Sequence, residues 1–323
     1  PESHAASFAL LVYFSAWLKR HEPAAFYCGL LNSQPMGFYS PSQLVQDAKR
    51  HHIEVRPVDI LSSDWQCTLE QPGFSEPAAA AASQPAIRLG LQRIKGFRED
   101  AANRIIQARD ARPIRSLQDI ARRASLDKGD LERLTEGGAF RSLSGHRYQT
   151  HWQAKGMLDN RRKLPTEDMD YLVAEGREVY LPPPAEADDL RADYTSLGLT
   201  LGRHPMAMLR EQAPFARLKT AHDLTSLNHG RFVQVAGIVT GRQRPSSASG
   251  VLFMTLEDET DNINVVIWTR VLETFRAAVV QGRLVKIKGV VERQDSVIHV
   301  VAGHVEDLSH YLEHFSLKSR DFR

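Results

Sequence analysis

The chain opens on a dense run of apolar positions. Ala5, Phe8, Ala9, Leu11, Val12, Phe14, Ala16 and Leu18 surround most of a helix that Ser3 can cap and that reaches Lys19-Arg20. A helix apolar nearly all round is expected to be buried. Pro23 suits the first turn of a second helix over 24–31, and Ser40-Pro41 starts a third with Leu44, Val45 and Ala48 on one face. Ile53-Glu54-Val55-Arg56 alternates as a short strand that Pro57 ends. Residues 71–85, mostly Pro, Ala, Ser and Gly, read as a loop, and 86–91 as another extended piece.

Glycines punctuate the next stretch. Ile94-Lys95-Gly96-Phe97-Arg98 is a tight turn into a helix with Ala101, Ala102, Ile105 and Ile106 inward, broken at Arg112-Pro113. Leu117, Ile120 and Ala121 mark the next helix. A third, over 126–136, stops at Gly137-Gly138, which suits a left-handed C-cap. Ala139-Phe140 packs back, and His146-Arg147 opens a further helix. Residues 158–195 are rich in charge and proline, a linker with room for one helix. Another helix follows His204-Pro205, to about Gln212.

The period then changes. Residues 232–239, 252–256, 263–268, 284–291 and 297–301 read as strands, with 271–280 helical between the third and fourth. Five strands with a helix there is the oligonucleotide-binding (OB) arrangement. Gly237 and Gly289 lie inside strands, where a small barrel needs bends or bulges.

Composition changes this picture little. The 323 residues leave room for two or three domains. Hydrophobic content of 42% and charged content of 25% are ordinary for a soluble protein. A net charge of +2 is a weak bias, so a nucleic-acid reading rests on where the cations sit. Two cysteines, Cys28 and Cys67, make no disulfide framework and fit a reducing cytoplasm. The thirteen histidines show no metal-ligand spacing, so no metal is expected. No apolar run reaches the about 20 residues of a membrane span, and no signal peptide is present. Pro1 opening directly onto an apolar helix suggests a fragment of a longer polypeptide.

The candidate chemistry is DNA holding. A glycine turn between helices lets backbone N–H groups approach a phosphate at a positive helix terminus. Gly96 is such a turn, with Arg93, Lys95, Arg98 and Arg104 around it; Arg98 stands where a second glycine is usual. Gly137-Gly138, followed by Arg141, His146 and Arg147, is a second turn, and by itself a C-cap explains it. In the barrel, the loop 241–250 carries Arg242 and Arg244 as its only charges. Phe253 and Trp268 are stacking candidates or core residues, and Lys286 and Lys288 alternate outward on the fourth strand beside Arg283. No Asp-x-Asp on a strand, phosphate loop or nucleophile signature is found, so no complete active site is expected.

Several stretches resemble a known family. Pro1 to Phe8, Leu31-Asn32-Ser33-Gln34-Pro35-Met36-Gly37-Phe38-Tyr39, Ser63-Asp64-Trp65-Gln66-Cys67-Thr68, Leu197-Gly198-Leu199-Thr200-Leu201-Gly202-Arg203-His204-Pro205 and Leu256-Glu257-Asp258-Glu259-Thr260 resemble the C-terminal part of bacterial C-family DNA polymerases, in the error-prone (ImuC-type) branch related to the replicative alpha subunit. The resemblance implies a multidomain α+β fold: the end of a helical fingers domain over 1–85, tandem helix–hairpin–helix over 86–157, a linker over 158–224, a five-stranded OB barrel over 225–308 and a tail over 309–323. It places Ser3 and His4 near the incoming nucleotide's phosphates, although Glu2 precedes them where relatives carry Lys or Arg. It implies that palm carboxylates and their magnesium lie outside this chain, leaving no cofactor within it. Implied partners are primer–template duplex, single-stranded template and accessory translesion subunits. No clamp-binding motif is found in 158–225, so clamp contact is expected to be indirect.

The leading expectation is therefore a DNA-binding, non-catalytic portion of a translesion DNA polymerase. The alternatives are a free-standing nucleic-acid module and a scaffold whose barrel docks partner subunits.

Overall fold

The computed structural model describes residues 2–37, 39–71, 84–163, 180–245, 250–295 and 297–315, with backbone alone at 2, 3, 158–163, 314 and 315. It divides into two units, Pro1–Leu201 and Gly202–Arg323.

The first unit begins with helices α1 (Glu2–His21), α2 (Pro23–Asn32) and α3 (Pro41–Arg50). Ser40 caps α3 in a reciprocal box with Gln43, and Leu44, Val45 and Ala48 are buried as their spacing predicts. Strands β1 (Val55–Arg56), β2 (Thr68–Glu70) and β3 (Ala86–Arg88) form a sheet in the order β1-β3-β2, parallel on one side and antiparallel on the other. The β2 strand is not expected from the sequence. Arg56 and Arg88 both bond Glu70 across this sheet, at 2.6 and 2.8 Å. Helices α4 (Glu99–Ala111), α5 (Leu117–Arg123), α6 (Lys128–Glu136), α7 (Arg141–Ser144), α8 (Arg147–Lys163) and α9 (Glu186–Ser196) follow. One apolar core runs through the unit, including Tyr27, Leu31, Ile87, Ile105, Ile120 and Phe140. Each such side chain contributes about 1.5–3 kcal/mol by leaving water.

Helix α1 contradicts its expected burial. It forms over the expected residues, yet Phe8, Leu10, Leu11, Val12, Tyr13, Phe14, Trp17 and Leu18 are 41–64% exposed. Apolar periodicity shows that a helix wants covering; the covering surface is not among the described residues. At its far end α1 is fastened, because Lys19 Nζ lies 2.8 Å from Asp47 of α3.

The second unit holds α10 (Pro205–Leu209), α11 (Ala221–Thr225) and a closed barrel of β4 (Phe232–Gln243), β5 (Leu252–Glu257), β6 (Asn262–Ile267), β7 (Leu284–Gln294) and β8 (Val297–Asp307). The strand order is β4-β5-β6-β8-β7, and β7 pairs back onto β4. The expected single helix before β7 is two short ones, α12 (Thr269–Thr274) and α13 (Arg276–Gln281), meeting at Phe275. Alternate residues Val233, Val235, Met254, Val265, Ile287 and Val300 fill the interior.

The two strand glycines do different jobs. Gly289 sits where the β7–β8 register shifts, and a Cβ there would lie 2.3 Å from Val301 O. Gly237 is not at a bulge. It permits close approach, since a Cβ would lie 2.8 Å from Leu256 Cβ. The bulge in β4 falls between Val239 and Gly241. Glu257-Asp258-Glu259 closes β5 as a turn. Buried Asp258 accepts from Thr260 and Asp261 N–H through Oδ1, and from Ala221 N–H at 2.7 Å through Oδ2. That carboxylate seats α11 on the barrel.

Candidate nucleic-acid interface

The two glycine turns of the first unit are built differently. A single 3-10 turn, Leu91–Arg93, enters the first, and α4 leaves it. Gly96 adopts φ +71°, a left-handed conformation that favours glycine. Phe97 N–H donates to Ile94 O and Lys95 N–H to Ser196 O. Among the described residues no protein group accepts from the N–H of Gly96 or Arg98. These donors face outward at the α4 N-terminus, the arrangement that suits a phosphate. Glu99 and Asp100 share that first turn, so an arriving anion also meets like charge.

At the second turn the donors are used up. Gly138 has φ +70°; its N–H donates to Thr135 O, and Ala139 N–H donates to Leu134 O at 2.9 Å. That pair of bonds is the Schellman closure of α6. Gly137 is needed for packing, since a Cβ there would lie 2.8 Å from Ile94 Cγ1. This turn presents no comparable amides.

The cations around the turns are mostly engaged. Arg98, half exposed, lies 3.5 Å from Asp127 and from Asp130 and 3.7 Å from Asp100. Arg104 holds Asp100 at 2.8 Å and donates to Ala124 O. Arg93 donates to Leu31 O at 3.1 Å, inside the fold. Lys95 Nζ donates to Tyr194 O and Thr195 O at the end of α9. Arg141 pairs with Asp189 at 3.0 Å, and His146 Nε2 lies 2.9 Å from Leu181 O. Arg147 is 5% exposed and bonds Glu136 O, Asp189 and Asp193. It is a core ion pair, not a surface cation. Sequence reasoning missed Arg133 of α6. Its Nε would lie 3.4 Å from a Cβ on Gly96, over the open turn, and among the described residues no ion pair ties it to a carboxylate. It sits 37 positions after Gly96, so only the tertiary fold brings it there.

On α1, His4 is exposed with its ring 4.4 Å from that of Phe8; the Ser3 side chain lies outside the described residues.

In the barrel, Phe253 points outward from β5 between buried Leu252 and Met254 and is 38% exposed. Trp268, at the start of α12, is 55% exposed. Neither is a core residue. Arg244 is exposed and lies near Gly250 and Thr269, at the same end as Trp268. Arg242 belongs to β4, which runs past the expected strand end, and not to a loop. Its guanidinium donates to Val279 O at 2.7 Å and to Gly282 O, satisfying carbonyls at the end of α13. Lys286 and Lys288 are half-buried, and Lys286 lies 3.5 Å from Glu306. Loop residues 246–249 lie outside the described residues.

Among the described residues no three His, Cys, Asp or Glu side chains gather as a metal site, and no helix is long and apolar enough to cross a membrane.

Comparison with known proteins agrees with both units. Residues 52–150 match the helix-hairpin-helix motif model, and 233–308 the OB-fold nucleic acid binding domain model. A protein of Alkalilimnicola ehrlichii named error-prone DNA polymerase is 52% identical over 322 residues, covering 100% of this chain and 30% of that protein. One of Pseudomonas fluorescens with the same name is 50% identical, covering 100% and 31%. The chain thus spans about three-tenths of the length of these curated relatives. Among solved structures, asparaginyl-tRNA synthetase from Pyrococcus horikoshii is 23% identical over 28% of this chain and 23% of its own, with a TM-score of 0.25. A likeness at that level carries no functional weight. Similarity at about 50% identity therefore runs along the whole chain, which corresponds to about three-tenths of the length of these relatives named error-prone DNA polymerase.

Proposed function

We propose that the chain is the DNA-holding portion of an error-prone, DNA-directed DNA polymerase acting in damage-induced translesion synthesis. The observation that carries this is identity of about 50% along the entire chain to relatives of that name. In this reading the first turn, with the free N–H groups of Gly96 and Arg98 and with Arg133 above it, grips duplex phosphates without reading sequence. The barrel offers Phe253, Trp268 and Arg244 to single-stranded template, through the face and loops such barrels use. Catalytic carboxylates and their magnesium belong to the other seven-tenths of the relatives' length. The domain roles follow: fingers end over 1–85, hairpins over 86–157, linker over 158–224, OB domain over 225–308. Ser3 and His4 as nucleotide-proximal groups, accessory translesion subunits, indirect clamp contact and a cytoplasmic setting belong to the same proposal.

A primer-extension assay tests it. The 323-residue chain should retain primer–template on a filter yet add no nucleotide. Extension by this chain would overturn the domain reading.

A barrel that docks partner subunits is the second reading. One cross-strand row favours it: Phe253, Val266, Val301, Val290 and Phe232 are successive register partners around five strands, exposed at Phe253, Val290 and Phe232 and buried at Val266. Phe232 and Val290 are well exposed there, while Arg242 and Lys286 are already engaged within the unit.

A further inference from the structure

Helix α8 turns one face to the core and leaves another open. Arg147, Thr150 and Ala154 are buried, and Met157 packs on the same core. On the opposite side Tyr148, His151, Trp152 and Lys155 are exposed, Tyr148 by 42% and Trp152 by 53%. Tyr148 and Trp152 are one turn apart, about 6 Å of rise, so both rings stand on one stripe. Tyr148 is held in place, its hydroxyl donating to Asp188 at 3.2 Å. From 148 to 157 the helix carries no Asp or Glu, and its two aliphatic side chains, Ala154 and Met157, face inward.

We propose that this stripe is a stacking site for the bases of single-stranded DNA, separate from both the Gly96 turn and the barrel. A helix that docks in a protein groove presents a longer apolar face, with anchors at i, i+3, i+4 and i+7; here Tyr148 and Trp152 are the two apolar side chains of the stripe, with polar His151 and Lys155 beside them. Aromatic faces beside the Lys155 ammonium fit an unpaired anionic strand, because every base offers a π-face, and the carboxylate at the Tyr148 hydroxyl, Asp188, is itself paired with Arg191. A duplex keeps its bases stacked inside and gives these rings nothing to hold. The inference rests on the reading that the chain holds DNA, but it makes its own demand: binding that is lost with Trp152 on single strands alone.

The test uses the full chain, a fluorescently labelled 20-mer of dT and a labelled duplex, both followed by anisotropy. Trp152→Ala should weaken dT binding roughly 5- to 100-fold, and Trp152→Phe by less than about threefold. Lys155→Glu should weaken it as well. Duplex affinity should hold in all three variants, and far-ultraviolet circular dichroism should be unchanged. Equal dT affinity in Trp152→Ala and the unmodified chain would overturn the proposal. So would loss confined to Trp268→Ala, which would assign single-strand binding to the barrel alone, or no dT binding by the unmodified chain. Loss of duplex binding in Gly96→Val, with dT binding intact, would bear on the hairpin reading and leave this one standing.

Discussion

Arg147 and Asp189 are 42 residues apart, and their charged groups meet at 2.6 Å. Asp193 closes on the same guanidinium from one turn further along α9, and Glu136 O takes its Nε–H. The helix beyond the charged, proline-rich stretch is thereby tied to the second turn. The same helix end accepts Lys95 N–H and its ammonium at the first turn. A single element therefore braces both turns. Arg147→Ala should cost about 3–5 kcal/mol, because it strands Asp193 without its ion-pair partner and leaves Asp189 only the half-exposed Arg141. Arg141→Ala, half exposed, should cost under about 1 kcal/mol. Urea unfolding of the two variants measures the difference, and equal midpoints would count against the brace.

The barrel's glycines rank by the space around them. Gly289→Ala pushes a Cβ to 2.3 Å from Val301 O, whereas the nearest atom to one at Gly303 is Lys288 O at 3.6 Å. The first should lose about 1–3 kcal/mol or more through forced strand movement, and the second much less. Thermal melting followed in the β region of the circular dichroism spectrum separates them.

Cys28 and Cys67 should be inert while the first unit is folded. Burial, helped by the neighbouring Cys67, pushes the Cys28 thiol from 9.0 up to about 11, and burial also raises Cys67. The thiolate is the reactive form, so a disulfide reagent at pH 8 should label neither residue before denaturant is added. Between about pH 9 and 11 an unfolded Cys28 ionises while the folded one keeps its proton. Stability from this thiol is thus complete below pH 9 and is lost as pH rises through that window. Replacing Cys28 with Ala should flatten that part of the stability profile.

Exposed α1 predicts self-association. Eight large apolar side chains on one helix exceed what a soluble monomer ordinarily leaves open. The double variant Leu11→Glu, Phe14→Glu should shift the chain toward monomer in analytical ultracentrifugation. An unchanged distribution would show that α1 is not the sticky surface.

The sequence revealed elements better than partners. The barrel strands were legible because alternation has a period of two and their core residues alternate. The Ser40-Pro41 start of α3 and the Gly138 closure were legible because they are local. Strand β2 was not, since three residues carry no periodic signal and its partner β3 begins 16 positions later. Strand β4 runs four residues past its expected end because a bulge at Thr240 breaks the alternation without ending the pairing. The roles of Arg147 and Arg242 were illegible because their partners, Asp189 and Val279 O, come from distant helices. Arg133 was overlooked for the same reason.

DNA holding by the Gly96 turn is the central claim. The most direct measurement is duplex affinity of the full chain across a series of salt concentrations, with Arg133→Ala alongside. The unmodified chain should lose affinity steeply as salt rises, in a straight line of log affinity against log salt. Arg133→Ala should bind more weakly on every sequence and lower that slope by about one. A flat salt response, or a variant that matches the unmodified chain in both affinity and slope, would contradict the account.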